Sequence, residues 1–342
     1  MPNTLIHLEN DYSECAHPAI LERIVAQNTS ARTGYGMDDA CESAADKIRA
    51  FFHCDNSDVH FLIGGTSANM IALAAFLRPH EAIICAEQAH INVHETGAVE
   101  ASGHKLLAAP THDAKLTPSM VEQLYSKHTD EHMVKPRLVY ISNASELGSI
   151  YTADELWNLR RCCDQLGLLL YMDGARLGSA LAASGLDPVV LPKVCDAFYI
   201  GGTKNGALFG EAMVIVNDAL KPDFRYLIKQ RGGMLAKGFL LGHQFDVLFS
   251  DGTFLTLAKH ANRIADGLRT ILAAKGVRFL VDTQTNLLFP ILPDATITKL
   301  RERFAFHDSD RVSDTETAVR FVTSWATPES VLDEFRSALD LL

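Results

Sequence analysis

The sequence predicts an α/β protein whose larger part is built on a mainly parallel β-sheet. From about residue 60 to residue 216, short segments that are apolar on both faces alternate with segments of helical periodicity. Strands of this kind need cover on both faces, which helices supply in an α/β sheet. Beyond residue 250 a long helix leads into strand-like segments and further helices, which predicts a smaller α+β unit.

The predicted elements follow from these local patterns. Strands are predicted at 60–63, 82–85, 106–108, 138–141, 168–172, 197–200 and 213–216. Helices are predicted at 68–77, 91–102, 154–166 and 254–274, and one more should begin at Thr117-Pro118, because proline fits the first turn of a helix. We therefore expect a large α/β domain with an N-terminal arm over 1–250 and a small α+β domain over 251–342.

Composition excludes several classes of protein. The 342 residues suffice for one large and one smaller domain, and 47% hydrophobic with 21% charged residues is typical of globular chains. The net charge of −11 argues against a nucleic-acid-binding surface and favours a small-molecule substrate. The chain has seven cysteines but no CxxC pair, and it shows no secretory signal, which predicts a cytoplasmic protein. It has no long apolar run, which predicts no membrane association.

The most informative segment is YIGGTKNG at 199–206, where a buried strand runs into two glycines and Lys204. Ligands of open α/β sheets bind at such strand ends. A lysine that is partly desolvated there would be nucleophilic at neutral pH. The alternative is an ordinary surface-loop lysine.

Two other segments place polar groups after strands. Asp173 ends the apolar strand of LLLYMDGARL, where a buried carboxylate needs a cation or donor; the alternative is that Asp173 caps the next helix. In FLIGGTSANM, Gly65 and Thr66 open a helix whose free backbone N–H groups suit a phosphate. Capping by Thr66 and Ser67 is the alternative there.

A phosphate cradle, an acid for a ring nitrogen and an imine-forming lysine are together the parts that pyridoxal phosphate requires. The chain resembles the L-threonine aldolases of the β-eliminating-lyase group over nearly its whole length. The segments that carry this resemblance are GYG at 34–36, AHINVHETGA at 89–98, DGARL at 173–177, TKNG at 203–206 and VRFVTSWAT at 319–327. The resemblance implies the aspartate-aminotransferase-like fold, known as fold type I, with the large domain binding pyridoxal 5'-phosphate.

The resemblance also implies roles for the residues that would bind the cofactor. Lys204 would join the cofactor as an imine, and Asp173 would hold the pyridine nitrogen protonated. Gly65 and Thr66 would bind the phosphate, together with Thr203.

Further roles follow from the same family. His90 would stack on the cofactor ring, and Arg176 would lie near the phenolic oxygen or the substrate carboxylate. Arg320 would bind that carboxylate, which its planar guanidinium suits. Tyr35 belongs to a loop that reaches a neighbouring subunit's site, and Asn10 would replace a serine as a carboxylate donor.

Arg320, His90 and the neighbouring His94 each have an alternative role outside the reaction. Arg320 would then be a surface arginine on an edge strand. His90 and His94 form an HxxxH pair, for which metal binding, ring stacking and a structural role are alternatives. A zinc-protease motif would require glutamate where Ile91 stands, and we predict no metal site.

The chain departs from the family in the loop at 142–146. Family members commonly carry Asn-Thr-His-Asn there, whereas this chain has Ser-Asn-Ala-Ser-Glu. The missing histidine leaves the general base open between His90, a water and another group.

We predict a pyridoxal-phosphate-dependent lyase that cleaves L-threonine or L-allo-threonine to glycine and an aldehyde. The alternatives are a phenylserine-type aldolase, β-elimination, transamination, racemisation, or an inactive binding protein of the same fold. The family also implies a homodimer or homotetramer with shared active sites.

Overall fold

The computed structural model describes residues 5–340, so residues 1–4 and 341–342 of the predicted domains lie outside the described residues. The helices are α1 (Pro18–Ala26), α2 (Asp39–Phe52), α3 (Gly65–Phe76), α4 (His90–Val93), α5 (Ala98–Ala101), α6 (Pro118–Ser126), α7 (Ala153–Leu166), α8 (Leu177–Ser184), α9 (Leu191–Val194), α10 (Phe224–Gln230), α11 (Phe239–Leu248), α12 (Thr253–Ala274), α13 (Asp294–Leu300) and α14 (Ser330–Asp340). The strands are β1 (Ile6–His7), β2 (Asp58–Leu62), β3 (Glu81–Ala86), β4 (Lys105–Ala109), β5 (Lys135–Ser142), β6 (Leu169–Asp173), β7 (Ala197–Gly201), β8 (Glu211–Ile215), β9 (Arg278–Phe279), β10 (Leu287–Leu288), β11 (Pro290–Pro293), β12 (Phe304–Ala305), β13 (His307–Arg311) and β14 (Glu316–Val322).

The larger part of the chain is organised by one seven-stranded sheet. Its strand order is β2-β8-β7-β6-β5-β3-β4, and β8 pairs antiparallel with both of its neighbours while the pairs from β7 to β4 are parallel. Every residue of β3, β6, β7 and β8 is buried, which requires cover on both faces of the sheet. The mainly parallel α/β architecture is confirmed.

The predicted elements correspond to observed ones within a few residues, with one clear exception. The helix predicted at 91–102 is wrong: two short helices, α4 and α5, occupy this stretch. Thr96 and Gly97 between them have φ angles of 52° and 73°. This left-handed backbone cannot continue a right-handed helix, so the helix ends before it.

A second hydrophobic cluster forms in the C-terminal part. Strands β10, β14, β11 and β9 form its sheet in that order, with β13 added beside β14. The N-terminal arm joins this unit, because β1 pairs with β12 and Leu8 packs into the same cluster. Helix α12 contributes Phe254 and Leu257 to the first cluster and Leu268 to the second. The domain division at residue 250 stays a prediction.

The carboxyl ends of β5, β6 and β7 lie side by side and hold the polar residues noted in the sequence. Ser142 pairs with Asp173 across β5 and β6. The turn after β6 packs directly on β7, since the Gly201 N–H donates to the Gly174 carbonyl at 2.9 Å. A Cβ on Gly174 would lie 1.9 Å from the Tyr199 carbonyl oxygen, so only glycine permits this approach.

Replacing Gly174 by alanine should therefore destabilise the protein. The clash is with backbone, which cannot turn aside, so G174A should lower the free energy of unfolding by about 1–3 kcal/mol in urea denaturation of the apoprotein. Gly64 is the matched control, because its backbone is extended and a Cβ there meets nothing within 4 Å. G64A should stay within about 0.5 kcal/mol of the wild type; equal losses in both variants would contradict the packing explanation.

Candidate active site

A cavity of about 380 Å³ opens where the carboxyl ends of β5, β6 and β7 meet the first turn of α3. It is the structural counterpart of the strand-end site expected from the sequence. Seven of the residues singled out in the sequence line it together: Gly65, Thr66, His90, Asp173, Arg176, Thr203 and Lys204.

Asp173 is the most extensively bonded group in this cavity. Its Oδ2 accepts hydrogen bonds from Tyr140 Oη at 2.6 Å and Asn69 Nδ2 at 2.9 Å. Its Oδ1 accepts from Tyr199 Oη at 2.5 Å and from the Ala175 N–H at 2.9 Å. Helix α8 begins after Arg176 without a side-chain cap, so Asp173 does not cap that helix. The carboxylate is instead a buried anionic group held by four donors.

Lys204 lies in the loop after β7 and faces the same cavity. Burial, followed by the positive charge of Arg176, lowers the pKa of its ammonium group, which favours the nucleophilic amine. Glu211 lies close by and accepts hydrogen bonds from Thr203 Oγ1 at 2.9 Å and the Gly202 N–H at 3.0 Å. Burial raises the pKa of this carboxyl. Thr203 is thereby bound to Glu211, a contact that the sequence did not predict.

The first turn of α3 presents free backbone donors. Gly64 precedes the helix with no side-chain cap, and Gly64, Gly65 and Thr66 all line the cavity. The first N–H groups of a helix have no partner within it and attract anions. A Cβ on Gly65 would lie 3.0 Å from Tyr199 Oη, so a larger residue would crowd the group that holds Asp173.

His90 is oriented by a buried carboxylate. Its Nδ1 lies 2.7 Å from Glu95 Oε1, and the same oxygen accepts from Asn69 Nδ2 at 2.8 Å. Asn69 Nδ2 also donates to Asp173, so the amide of Asn69 connects Glu95 with Asp173 at the end of β6. His94 follows at the cavity wall, with its ring centroid 5.5 Å from that of His90.

Arg176 is held by the N-terminal arm. Its Nε and Nη2 donate to the two carboxylate oxygens of Asp11 at 2.7 and 3.0 Å, and Asn286 Nδ2 donates to Asp11 at 2.9 Å. Burial opposes ionisation of Asp11, but the charge of Arg176 prevails and lowers the pKa of that carboxyl. The N-terminal arm, the residue that precedes α8 and Asn286 of the C-terminal part therefore meet at the Asp11 carboxylate.

Three predicted residues do not line the cavity. Asn10 Oδ1 accepts hydrogen bonds from the backbone N–H of Tyr12 and from Ser13 Oγ, so its oxygen serves a local turn. Arg320 donates from Nη2 to the Glu9 carbonyl, and its buried Nε has no partner among residues 5–340. Tyr35 lines a different cavity of about 360 Å³, with 47% of its surface exposed.

Several residues of the site were missed in the sequence. They are Asp11, Asn69, Tyr140, Glu146, Tyr199 and Glu211. A signal existed for some of them, because Asn69 is the one amide in the otherwise apolar helix segment ANMIALAAF and both tyrosines occur in apolar strands. A buried polar group in such surroundings requires a partner, which is a reason to suspect a site.

The residues of this cavity fit pyridoxal phosphate. An amine of lowered pKa, uncapped helix N–H groups and a buried carboxylate are the groups needed for its aldehyde, its phosphate and its ring nitrogen. The half-buried ring of His90 lies on the cavity wall, where it suits an aromatic ligand.

Comparison with known proteins agrees with this geometry. A low-specificity L-threonine aldolase from Pseudomonas sp. (strain NCIMB 10558) is 36% identical over 316 residues, 90% of this chain and 89% of that protein. A threonine aldolase structure from Leishmania major is 44% identical, covers 98% of both chains and has a TM-score of 0.97. Thermus thermophilus aspartate aminotransferase, at 16% identity and a TM-score of 0.73 over 99% of this chain and 91% of that one, shares the fold alone.

The aspartate-aminotransferase-like fold expected from the sequence is thus confirmed. The family model for β-eliminating lyases matches residues 15–318, which is most of the chain. The chain belongs to the β-eliminating lyase family, and like the members it resembles it is a pyridoxal-phosphate-dependent lyase.

Proposed function

We propose that the protein cleaves L-threonine and L-allo-threonine to glycine and acetaldehyde. The observation that carries this proposal is the joint placement of Lys204, Asp173 and Arg176 in one cavity. The names of the Pseudomonas and Leishmania relatives, which are threonine aldolases, support the choice of substrate.

The proposed roles follow from the positions of the side chains. Lys204 Nζ would hold the cofactor covalently, and Asp173 would keep the ring nitrogen protonated. The first turn of α3, with Gly65 and Thr66, would bind the phosphate, and His90 would pack on the ring. Pyridoxal phosphate, when bound, supplies an electron sink for the Cα of the amino acid.

Arginine side chains would orient the substrate. Arg176, fixed by Asp11, would face the carboxylate, and Arg320 would join it with the Nε that has no partner in the described chain. Asn10 would offer its amide nitrogen. By holding the carboxylate, these side chains would fix the orientation of the substrate's Cα and so would select which of its bonds breaks.

We also propose a homodimer or homotetramer with shared sites. Tyr35 adopts a φ of 64° and lies outside the cavity of its own subunit, as expected for a residue that serves a neighbour. Arg225 Nη2 donates to the Tyr35 carbonyl at 3.0 Å, and Lys229 Nζ lies 4.8 Å from its ring centroid, so the loop is held in this position.

A cytoplasmic location is part of the proposal. All seven cysteines carry free thiols and six of them are buried, which suits a reducing compartment. Among residues 5–340 no helix has both the length and the apolar character that crossing a bilayer demands.

The products of the reaction test the proposed function. The protein loaded with pyridoxal phosphate should convert L-threonine to glycine and acetaldehyde in equal amounts, measured by NMR. K204A should lose cleavage, and the exposed-lysine control K193A should match the wild type. Ammonia with 2-oxobutyrate would instead indicate elimination, and a keto acid with an aminated cofactor would indicate transamination. D-allo-threonine, the product of inversion at Cα alone, would indicate racemisation.

Asp11 should act on substrate binding through Arg176. D11N leaves the guanidinium without its fixed bidentate partner, so KM for L-threonine should rise about tenfold with a smaller change in kcat. D333N, which alters an exposed helix carboxylate, is the control. An unchanged KM in D11N would contradict a role of Asp11 in substrate binding through Arg176.

Shared sites predict complementation between two inactive variants. Tyr35→Ala and Lys204→Ala should each be nearly inactive alone, and mixing them under subunit exchange should restore cleavage, because one mixed site retains both residues. Activity in Y35A alone, or no recovery in an exchanged mixture whose composition is verified by native mass spectrometry, would contradict shared sites.

A further inference from the structure

The loop that follows β5 brings a carboxyl group into the cavity. Glu146 lines the cavity together with Ser142 and Ala144. Ser142 pairs with Asp173 in the sheet, so this loop starts beside the strand end that carries the buried acid. Residues 143–150 of this loop include no histidine, and Glu146 is the only ionisable side chain among them.

One oxygen of Glu146 is fixed and the other is free. Oε1 accepts hydrogen bonds from Ser142 Oγ at 2.7 Å and from the His90 backbone N–H at 2.8 Å. Oε2 has no hydrogen-bond partner among residues 5–340 and is accessible to solvent. Two donors occupy Oε1, so a proton on this carboxyl resides on Oε2.

The surroundings of Glu146 set its affinity for a proton. Burial raises the pKa of the Glu146 carboxyl. The hydrogen bond from Ser142 lowers this pKa, and the negative charge of Asp173 raises it further. The titratable and charged groups around it come from several elements. They include His90 on α4 and His94 directly after it, Asp173 at the end of β6, Arg176 before α8, Tyr199 on β7, Lys204 in the loop after β7, Glu211 on β8, Tyr12 in the N-terminal arm, Tyr140 on β5, Tyr151 before α7 and Cys85 on β3. A carboxyl of raised pKa suits acid–base catalysis near neutral pH.

We propose that Glu146 is the acid–base residue that exchanges a proton with the β-oxygen of the substrate. This inference rests on the proposed aldolase function. In cleavage, the β-hydroxyl proton passes to Glu146 Oε2, and the O–H electron pair becomes the second bond of the aldehyde carbonyl. The Cα–Cβ electron pair stays with Cα, which a proton then converts to glycine, and Glu146 returns its proton to water.

His94 is the rival group on the cavity wall. Its side chain is exposed and makes no hydrogen bond within the described chain, so nothing fixes its ring. Part of the ring is nevertheless covered, and this partial burial, the neighbouring His90 and the charge of Arg320 lower the pKa of His94. Glu146, by contrast, is anchored at one oxygen by two donors, which a positioned proton acceptor requires.

The substitution Glu146→Gln tests the role without removing the anchor, because the amide oxygen still accepts from Ser142 and the His90 N–H. We expect kcat for L-threonine cleavage to fall about 100-fold. KM and the exchange of the glycine Cα proton with deuterium should stay within about threefold, since neither needs proton transfer at a β-oxygen. Glu87→Gln is the matched control, since Glu87 is an exposed glutamate in the loop after β3.

The pH profile gives a second readout. The ionised carboxylate is the proton acceptor, so kcat for cleavage should rise with pH as Glu146 loses its proton, and E146Q should lack this ascending limb. The apoprotein gives a third readout. The infrared difference between wild type and E146Q should show a protonated carboxyl at acid pH that disappears as the pH rises.

The outcomes separate this role from the proposed function. Wild-type cleavage rates in E146Q, parallel loss of cleavage and glycine exchange, or a Glu146 carboxyl that stays ionised across the profile would each overturn the role while leaving the aldolase function intact. A wild-type protein that exchanges the glycine proton but cleaves no β-hydroxy amino acid would overturn the function and the role with it.

Discussion

The site depends on the hydrogen bonds that hold the buried carboxylate of Asp173. Tyr140 comes from β5, Tyr199 from β7 and Asn69 from α3, and each donates to this one group. Burying an anion costs several kcal/mol unless donors compensate it, so the arrangement that brings these donors together is favoured over arrangements that separate them. The strand ends and the first turn of α3 are thereby held at one edge of the sheet.

The hydrogen bonds continue from Asp173 around the cavity. Asn69 connects Asp173 with Glu95, and Glu95 binds the ring of His90. The backbone of His90 in turn donates to Glu146. A connected buried network of this kind keeps its members in one geometry, which is what a site needs if it is to select one bond of Cα. The short helix α4 is positioned by this network, since with a single turn it has little stability of its own.

The sequence predicted the parts of the fold that repeat a local pattern. Buried strands and their order along the chain were visible. Asp173 and Lys204 were visible too, because Asp173 ends a strand, Lys204 follows one, and the family resemblance gave each a role. The break between α4 and α5 was not visible, since Thr96 in a left-handed conformation has no sequence signature. Contacts between distant segments were also hidden: nothing local indicates that Asp11 meets Arg176.

The visible absorption spectrum of the purified protein with pyridoxal phosphate, before and after addition of glycine, tests most directly whether this cavity binds the cofactor and activates Cα. We expect an absorption band of cofactor bound to Lys204 that gives way to a band at longer wavelength when glycine is added, because the cofactor then conjugates with a deprotonated Cα. A spectrum identical to that of free pyridoxal phosphate and unchanged by glycine would contradict the assignment.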